Sequence, residues 1–415
     1  MTTRYRVYRN ISCLVTNLGI AGKRGIRPQE EDLGLISNAA LVYDSKKGTL
    51  WVGHDKNLPK NFRAKPWKHF NCKSLVAYPG LVDSHTHLAF SGDRSREFIL
   101  RMQGASYQKI AEAGGGILSS MRATRDISVS AMTEKIAARL QVAHGFGVRL
   151  LEAKSGYGLT PESEIKSLEA LQNAQKKMPL VQVQGTCLSA HAIPPEFKTD
   201  PDKYVSLICE KILPAVKKKR LAQYVDVFCD NGYFSIEQTK KIFSTARTLG
   251  LELRLHGEEL AHTGAAELAV EFGARSVDHL LRVSDMGIKA LAQSPTTVAT
   301  LLPGTAFYLK EAPAPARKLI DAGACVALAT DFNPGTCPTQ NLPFIGTLAA
   351  IQLGMSSAEI IAGITWNAAK SMMGENSFGA LLPGFMGEPI FCEGDHPAAL
   401  FYQMAQPALP EPHLL

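Results

Sequence analysis

The chain reads as an α/β protein, a (β/α)8 TIM-like barrel with a small β-domain drawn from both chain ends. Three observations predict this. From about residue 76, apolar β-rich runs alternate with longer helix-period stretches. Eight such runs occur over about 300 residues, the repeat expected of a barrel. The segments on either side, roughly the first 75 residues and the Gly- and Pro-rich tail after 376, look instead like short strands and turns. The expected division is therefore 1–75, 76–376 and 377–415.

The N-terminal part is predicted to hold strands at Ser37 to Tyr43 and Thr49 to Gly53. The eight barrel runs are Leu75 to Val82, Val148 to Glu152, Val183 to Leu188, Tyr224 to Phe228, Leu251 to Leu255, Ala274 to Val277, Thr296 to Leu301 and Cys325 to Ala329. Between them lie helical patterns at Thr133 to His144, Pro161 to Ala174, Ile236 to Leu249 and Thr263 to Phe272, and after them Leu342 to Leu353 and Ser357 to Met373. A tail from Gly379 onward can rejoin the N-terminal strands.

Composition narrows the function. Hydrophobic residues make up 45% and charged residues 20%, a globular balance. No run approaches the roughly 18 apolar residues of a membrane helix, and the start lacks a secretory apolar core, so a cytoplasmic protein is expected. The eight cysteines form no CxxC pair and read as reduced, buried thiols. The net charge of +7 is spread along the chain, and the dense run Lys217-Lys218-Lys219-Arg220 reads as a solvated helix end. No nucleic-acid or membrane partner is expected; a modest positive field suits a small anionic substrate.

Barrel enzymes carry their chemistry at the C-terminal ends of the strands. Five of the eleven histidines fall there: His85, His87, His191, His256 and His279. In Asp83-Ser84-His85-Thr86-His87, alternate residues of an extended segment face one point, so both imidazoles can bind one metal. His256 closes the fifth run and Asp331 follows the eighth. Two or three imidazoles with one carboxylate leave a position open for water, as a catalytic metal requires. Such a metal lowers the pKa of bound water to about 7, and a nearby carboxylate can move the proton. Glu259, three residues past His256, is the candidate; Glu258 remains its rival. His279 can hold the water or a developing oxyanion. Each of these residues also has a plainer reading, as a core histidine or a loop-capping aspartate.

A lysine that bridges two metals would be expected on the fourth strand. Lys154 falls on the second, so it reads as a packing or supporting residue, and a single metal is expected. Gly114-Gly115-Gly116 lacks a following Lys-Ser/Thr and reads as a flexible active-site loop rather than a phosphate cradle.

Pro79-Gly80-Leu81-Val82-Asp83-Ser84-His85-Thr86-His87 resembles the amidohydrolase superfamily. Within it, Ser91-Gly92-Asp93-Arg94, Ala113 to Ile117, Lys154-Ser155-Gly156-Tyr157-Gly158-Leu159, Ala190-His191, Asp278-His279-Leu280 and Leu328 to Thr336 are similar to the imidazolonepropionase family. The resemblance covers nearly the whole chain. It implies hydrolysis of 4-imidazolone-5-propanoate to N-formimidoyl-L-glutamate in histidine breakdown, a barrel with a small β-sandwich from both chain ends, and a homodimer. It also implies one zinc or iron ion on His85, His87, His256 and Asp331. Arg94 and Tyr157 match positions that hold the propionate, and a guanidinium suits a carboxylate. His191, Glu259, Asn333, Gly335 and Thr336 match substrate-contacting positions. For Arg94 the alternative is a surface ion pair with Glu97. The chain departs from the family at Gly384-Phe385-Met386-Gly387-Glu388-Pro389, where a Gly-x-x-Ala-Asp type segment is usual, which leaves the shape of the C-terminal part open. The competing functions are a guanine-type deaminase, which needs no propionate clamp, and a non-catalytic barrel scaffold, which would tend to lose its ligands.

Overall fold

The computed structural model describes residues 4–64, 66–104, 115–372, 377–404 and 413–414. Two sheets organise them. The smaller contains β1 (Tyr5–Leu14), β2 (Ile36–Asp44), β3 (Gly48–His54), β4 (Lys68–Asn71) and β5 (Leu75–Tyr78). The larger is parallel: β6 (Leu81–Asp83), β7 (Val148–Lys154), β8 (Gln182–Ala190), β9 (Tyr224–Cys229), β10 (Glu252–Gly257), β11 (Ser276–His279), β12 (Val298–Leu301) and β13 (Val326–Leu328). From the C-terminal segment, β14 (Ile390–Glu393) pairs antiparallel with β5, and β15 (His413–Leu414) with β4. All three N-terminal neighbours of β1 meet it directly, β2 antiparallel and β4 and β5 parallel.

The run Leu75 to Val82 divides between the sheets. Leu75–Tyr78 pairs in the smaller one and Leu81–Asp83 opens the barrel. Pro79-Gly80 makes the break: Pro cannot donate to a ladder, and a side chain at Gly80 would run into Arg149 and the Glu388 carbonyl. The other seven runs form strands at or within two residues of their expected ends. Each barrel strand bonds to the next in chain order. The seam between β13 and β6 is drawn together just beyond the strands, by a parallel bridge between Thr86 and Phe332. There Asp331 N–H donates to His85 O (3.0 Å) and His87 N–H to Phe332 O (2.9 Å).

The helices end where local chemistry says they should. Pro161–Lys177 starts with Thr160 capping Ser163 N–H and with Pro in its first turn; Glu162 and Glu164 stand at its start and Lys176 and Lys177 at its end, complementing the dipole. The expected helix from Ser357 is two helices, Ser357–Gly363 and Trp366–Lys370; Met373 lies outside the described residues. The break presents Ile364 O to Val82 N–H (2.9 Å), supplying a partner on the seam side of β6. The segment that departs from the family packs on the hairpin between β2 and β3, where Thr49 N–H donates to Phe385 O and Gly384 N–H to Thr49 O (both 2.9 Å). Lys217, Lys218 and Lys219 close the helix Leu213–Lys219, with Lys219 paired to Glu169 at the surface. All eight cysteines are buried and free. Among the described residues no helix is long and apolar enough to cross a membrane.

Candidate active site

At the C-terminal mouth of the barrel a cavity of about 360 Å³ is lined by His87, Arg94, Tyr157, His191, His256, Glu259, His279, Asp331, Asn333 and Thr336, among others. Its floor comes from strand β10 and from the residues just past the ends of β6 and β13. His87 Nε2 lies 3.3 Å from His85 Nε2 and 3.4 Å from His256 Nε2. Asp331 Oδ1 lies 3.2 Å from His87 Nε2 and 3.5 Å from His85 Nε2. Ligands bonded to a tetrahedral metal at about 2.0–2.1 Å stand about 3.3–3.4 Å apart, so the donor set fits such an ion. Asp331 Oδ1 is buried and accepts no hydrogen bond, whereas Oδ2 accepts from Thr305 Oγ1 at 2.6 Å. Three overlapping donor groups occur among the described residues: His85, His87 and Asp331; His85, His256 and His279; and Asp226, His256 and Asp278.

Beneath the donors lies a layer of buried charge. Asp278 Oδ2 accepts from His85 Nδ1 (2.7 Å) and Asp226 Oδ1 from His256 Nδ1 (3.0 Å). Each carboxylate fixes the tautomer and turns Nε2 toward the cavity. In the strand register His256 is level with Asp278, and Arg254, two residues back on the same face, is level with Asp226, so all four ionisable side chains lie in adjacent layers of the barrel. Arg254 donates to Ser84 O at 2.7 Å, steadying the residue before His85. Burial alone pushes His85 down, as does Lys154; Asp278 and Asp331 outweigh both and raise it to about 9. Burial dominates at His256, lowered to about 4, and at His279, lowered to about 3.

The rim comes from loops. Glu259 faces the cavity, its Oε2 3.6 Å from His279 Nε2. Burial, then Asp331 and Asp230, raise its carboxyl to about 8. Glu258 turns the other way: it accepts from His262 Nδ1 (2.8 Å) and Gly264 N–H (3.1 Å). The turn is held by Asp230, whose carboxylate accepts the N–H groups of Glu259, Leu260 and Ala261. Glu258, His279 and Asp331 all adopt positive φ, 58°, 79° and 51°. Such backbone costs about 1–3 kcal/mol for a residue with a side chain and concentrates at functional sites.

Arg94 reaches the cavity and also pairs with Glu97, Nε to Oε2 at 2.8 Å. The ion pair expected as an alternative is thus present, but buried and beside the cavity. Gly335 packs against the guanidinium; a Cβ there would stand 1.9 Å from Arg94 Nη1. Glu97 Oε1 also accepts Gly116 N–H at 2.8 Å, tying the end of the glycine run to Arg94; Ala113 and Gly114 lie outside the described residues. Tyr157 stands edge-on to His191, which stacks on His87 with ring centres 5.1 Å apart. His191 Nδ1 bonds Gly156 O at 2.9 Å. Asn333 borders the cavity, yet its side chain is occupied within its own loop. Oδ1 accepts from Gly335 N–H (2.8 Å), Thr336 N–H (2.7 Å) and Thr336 Oγ1 (3.0 Å), and Nδ2 donates to Asp331 O (2.7 Å). It shapes the turn that carries Asp331.

Sequence reasoning missed Asp226, the part played by Asp278, the burial of the Arg94–Glu97 pair, and the lining residues Phe228, Tyr233 and Glu311. A charged residue on the inward alternation of an apolar strand was an available signal for Asp226.

A barrel with imidazole and carboxylate donors at its strand ends and a carboxyl poised beside them defines a metal-dependent hydrolase. The model of the amidohydrolase family matches residues 76–409, and the chain belongs to that family. The chain is 43% identical over 399 residues to the imidazolonepropionase of Bdellovibrio bacteriovorus, covering 96% of this chain and 92% of that one. Among solved structures it resembles the guanine deaminase of E. coli, with a TM-score of 0.72, 14% identity, and 99% and 98% of the two chains covered. It also resembles the atrazine chlorohydrolase TrzN of Arthrobacter aurescens TC1 complexed with zinc, with a TM-score of 0.68, 14% identity, and 97% and 92% covered. These last two likenesses concern the fold.

Proposed function

We propose that the protein hydrolyses 4-imidazolone-5-propanoate to N-formimidoyl-L-glutamate in histidine degradation. The observation that carries this reading is one cavity with a guanidinium, Arg94, and a carboxyl, Glu259, on its rim and a donor cluster on its floor. The relatives bearing the imidazolonepropionase name, similar along almost the whole chain, support it. Water adds to the ring carbonyl carbon, the bond from that carbon to ring nitrogen breaks, and the nitrogen takes a proton.

One zinc or iron ion per chain would be held by His85, His87, His256 and Asp331. It would polarise the ring carbonyl and supply ionised water near neutral pH. Glu259 takes a proton at its carboxylate and returns it to the departing nitrogen, its side chain facing the cavity beside His279. His279, neutral beside it, offers a hydrogen bond to the carbonyl oxygen as negative charge builds there. Arg94 binds the propionate, and Gly335 keeps the guanidinium free of a clashing side chain. Tyr157 and His191 wall the ring, and the Asn333 to Thr336 turn borders the same cavity. A homodimer is the proposed assembly, checked by sedimentation equilibrium.

The deciding assay sets ring opening of the imidazolone against ammonia release from guanine. Ring opening with no ammonia is expected; the reverse removes this reading in favour of a deaminase. Elemental analysis of protein purified without chelator should give one transition metal per active chain. Two, or none, would contradict the proposed centre.

A further inference from the structure

The Lys154 ammonium is fully buried in the barrel. It is placed between two carboxylates, Glu152 Oε1 at 2.9 Å and Asp226 Oδ2 at 2.7 Å. Each of those carboxylates holds a different part of the donor set. Asp226 orients the His256 ring. Glu152 Oε2 accepts the N–H of Thr86, the residue between His85 and His87, at 3.2 Å. Strand β7 grips Thr86 on its other polar atoms as well: Thr86 Oγ1 donates to Glu152 O at 2.6 Å, and Lys154 N–H donates to Thr86 O at 3.0 Å. The backbone carrying the first two imidazoles and the ring of the third therefore meet at one ammonium.

We propose that Lys154 is a positioning residue that couples the His85-Thr86-His87 segment to His256, setting the spacing of the metal donors. The proposal rests on the metal reading above. Its chemistry is geometric. An ammonium has three directed donors, and two of them here fix carboxylates that approach from β7 and β9. Without the ammonium, two buried carboxylates would be left facing each other in a region of low dielectric, where like charges repel strongly. They would separate or take up protons, and both would loosen their hold on Thr86 and His256.

The test is the affinity of the full-length protein for cobalt(II), measured by competition with a chromophoric chelator, together with the cobalt absorption spectrum. Lys154→Met should bind cobalt about 10–100-fold more weakly, the range found when partners of metal ligands are removed. Its spectrum should shift, since the donor geometry changes. Glu152→Gln serves as the second variant and is read alone if Lys154→Met does not fold. Its single carbonyl oxygen can satisfy Thr86 N–H or Lys154 but not both, so a smaller loss of affinity in the same direction is expected. A folded variant with lowered thermal stability but wild-type cobalt affinity and spectrum would make the lysine merely structural and overturn the proposal. Absence of cobalt binding by the wild-type chain would instead remove the metal reading itself.

Discussion

The floor of the cavity is carried by strands and the residues just past their ends, its rim by the loops beyond, and the two hold their side chains still in different ways. On the floor, His85 and His256 are gripped from below by Asp278, which comes from the non-adjacent strand β11, and by Asp226, from the neighbouring strand β9. On the rim, Glu259 is set by the carboxylate of Asp230, which reaches from the end of the neighbouring strand β9 to cap the turn after β10. Asn333 likewise shapes the loop that follows β13. The floor depends on buried charges carried by other strands, the rim on capped loop N–H groups, within one turn at Asn333 and between adjacent loops at Asp230. Damage to the floor should therefore spread among the donors, while damage to the rim should stay with one contact.

The largest effect expected is on the rim. Glu259→Gln keeps shape and hydrogen bonding but cannot carry the proton, so kcat should fall by about 10²–10⁴ with metal content unchanged. Glu258→Gln, whose side chain points to His262 and Gly264, should be far milder. The opposite ranking would mean that the wrong glutamate has been assigned. Next comes the floor: Asp278→Asn should weaken metal binding by about 10–100-fold, and activity should recover when metal is added in excess. Activity that stays low at saturating metal would show that Asp278 does more than orient His85. Arg94→Ala should raise KM by about 10–100-fold, as expected when hydrogen bonds to a charged group worth about 1.5–3 kcal/mol are lost, with kcat little changed. An unchanged KM would sink the propionate clamp. The smallest effect is expected from Gly335→Ala, because the guanidinium is the flexible end of a long side chain and can shift from the added Cβ. KM should rise several-fold; a fall in kcat instead would tie Gly335 to the turn that carries Asp331.

Much of this arrangement was legible in the sequence, for identifiable reasons. The eight runs showed because an apolar strand bounded by turn residues is a local pattern. His85 and His87 showed because two residues on an extended segment share a face. Between Glu258 and Glu259 spacing gave no decision; the left-handed backbone at Glu258 and the capping by Asp230 turn one inward and one away. The helix break at Thr365 was not visible, because it answers the bonding need of Val82, a residue far away in the chain.

The sequence by itself determined the repeat of strand and helix and the residue types at the strand ends, since each rests on neighbours along the chain. Only the tertiary structure decided which carboxylate faces which imidazole. Asp226, Asp278, Glu152 and Lys154 acquire their partners through the register of parallel strands and the curvature that closes them into a barrel. That register is a property of many residues together, and buried charges have no stable arrangement until all their partners are in place.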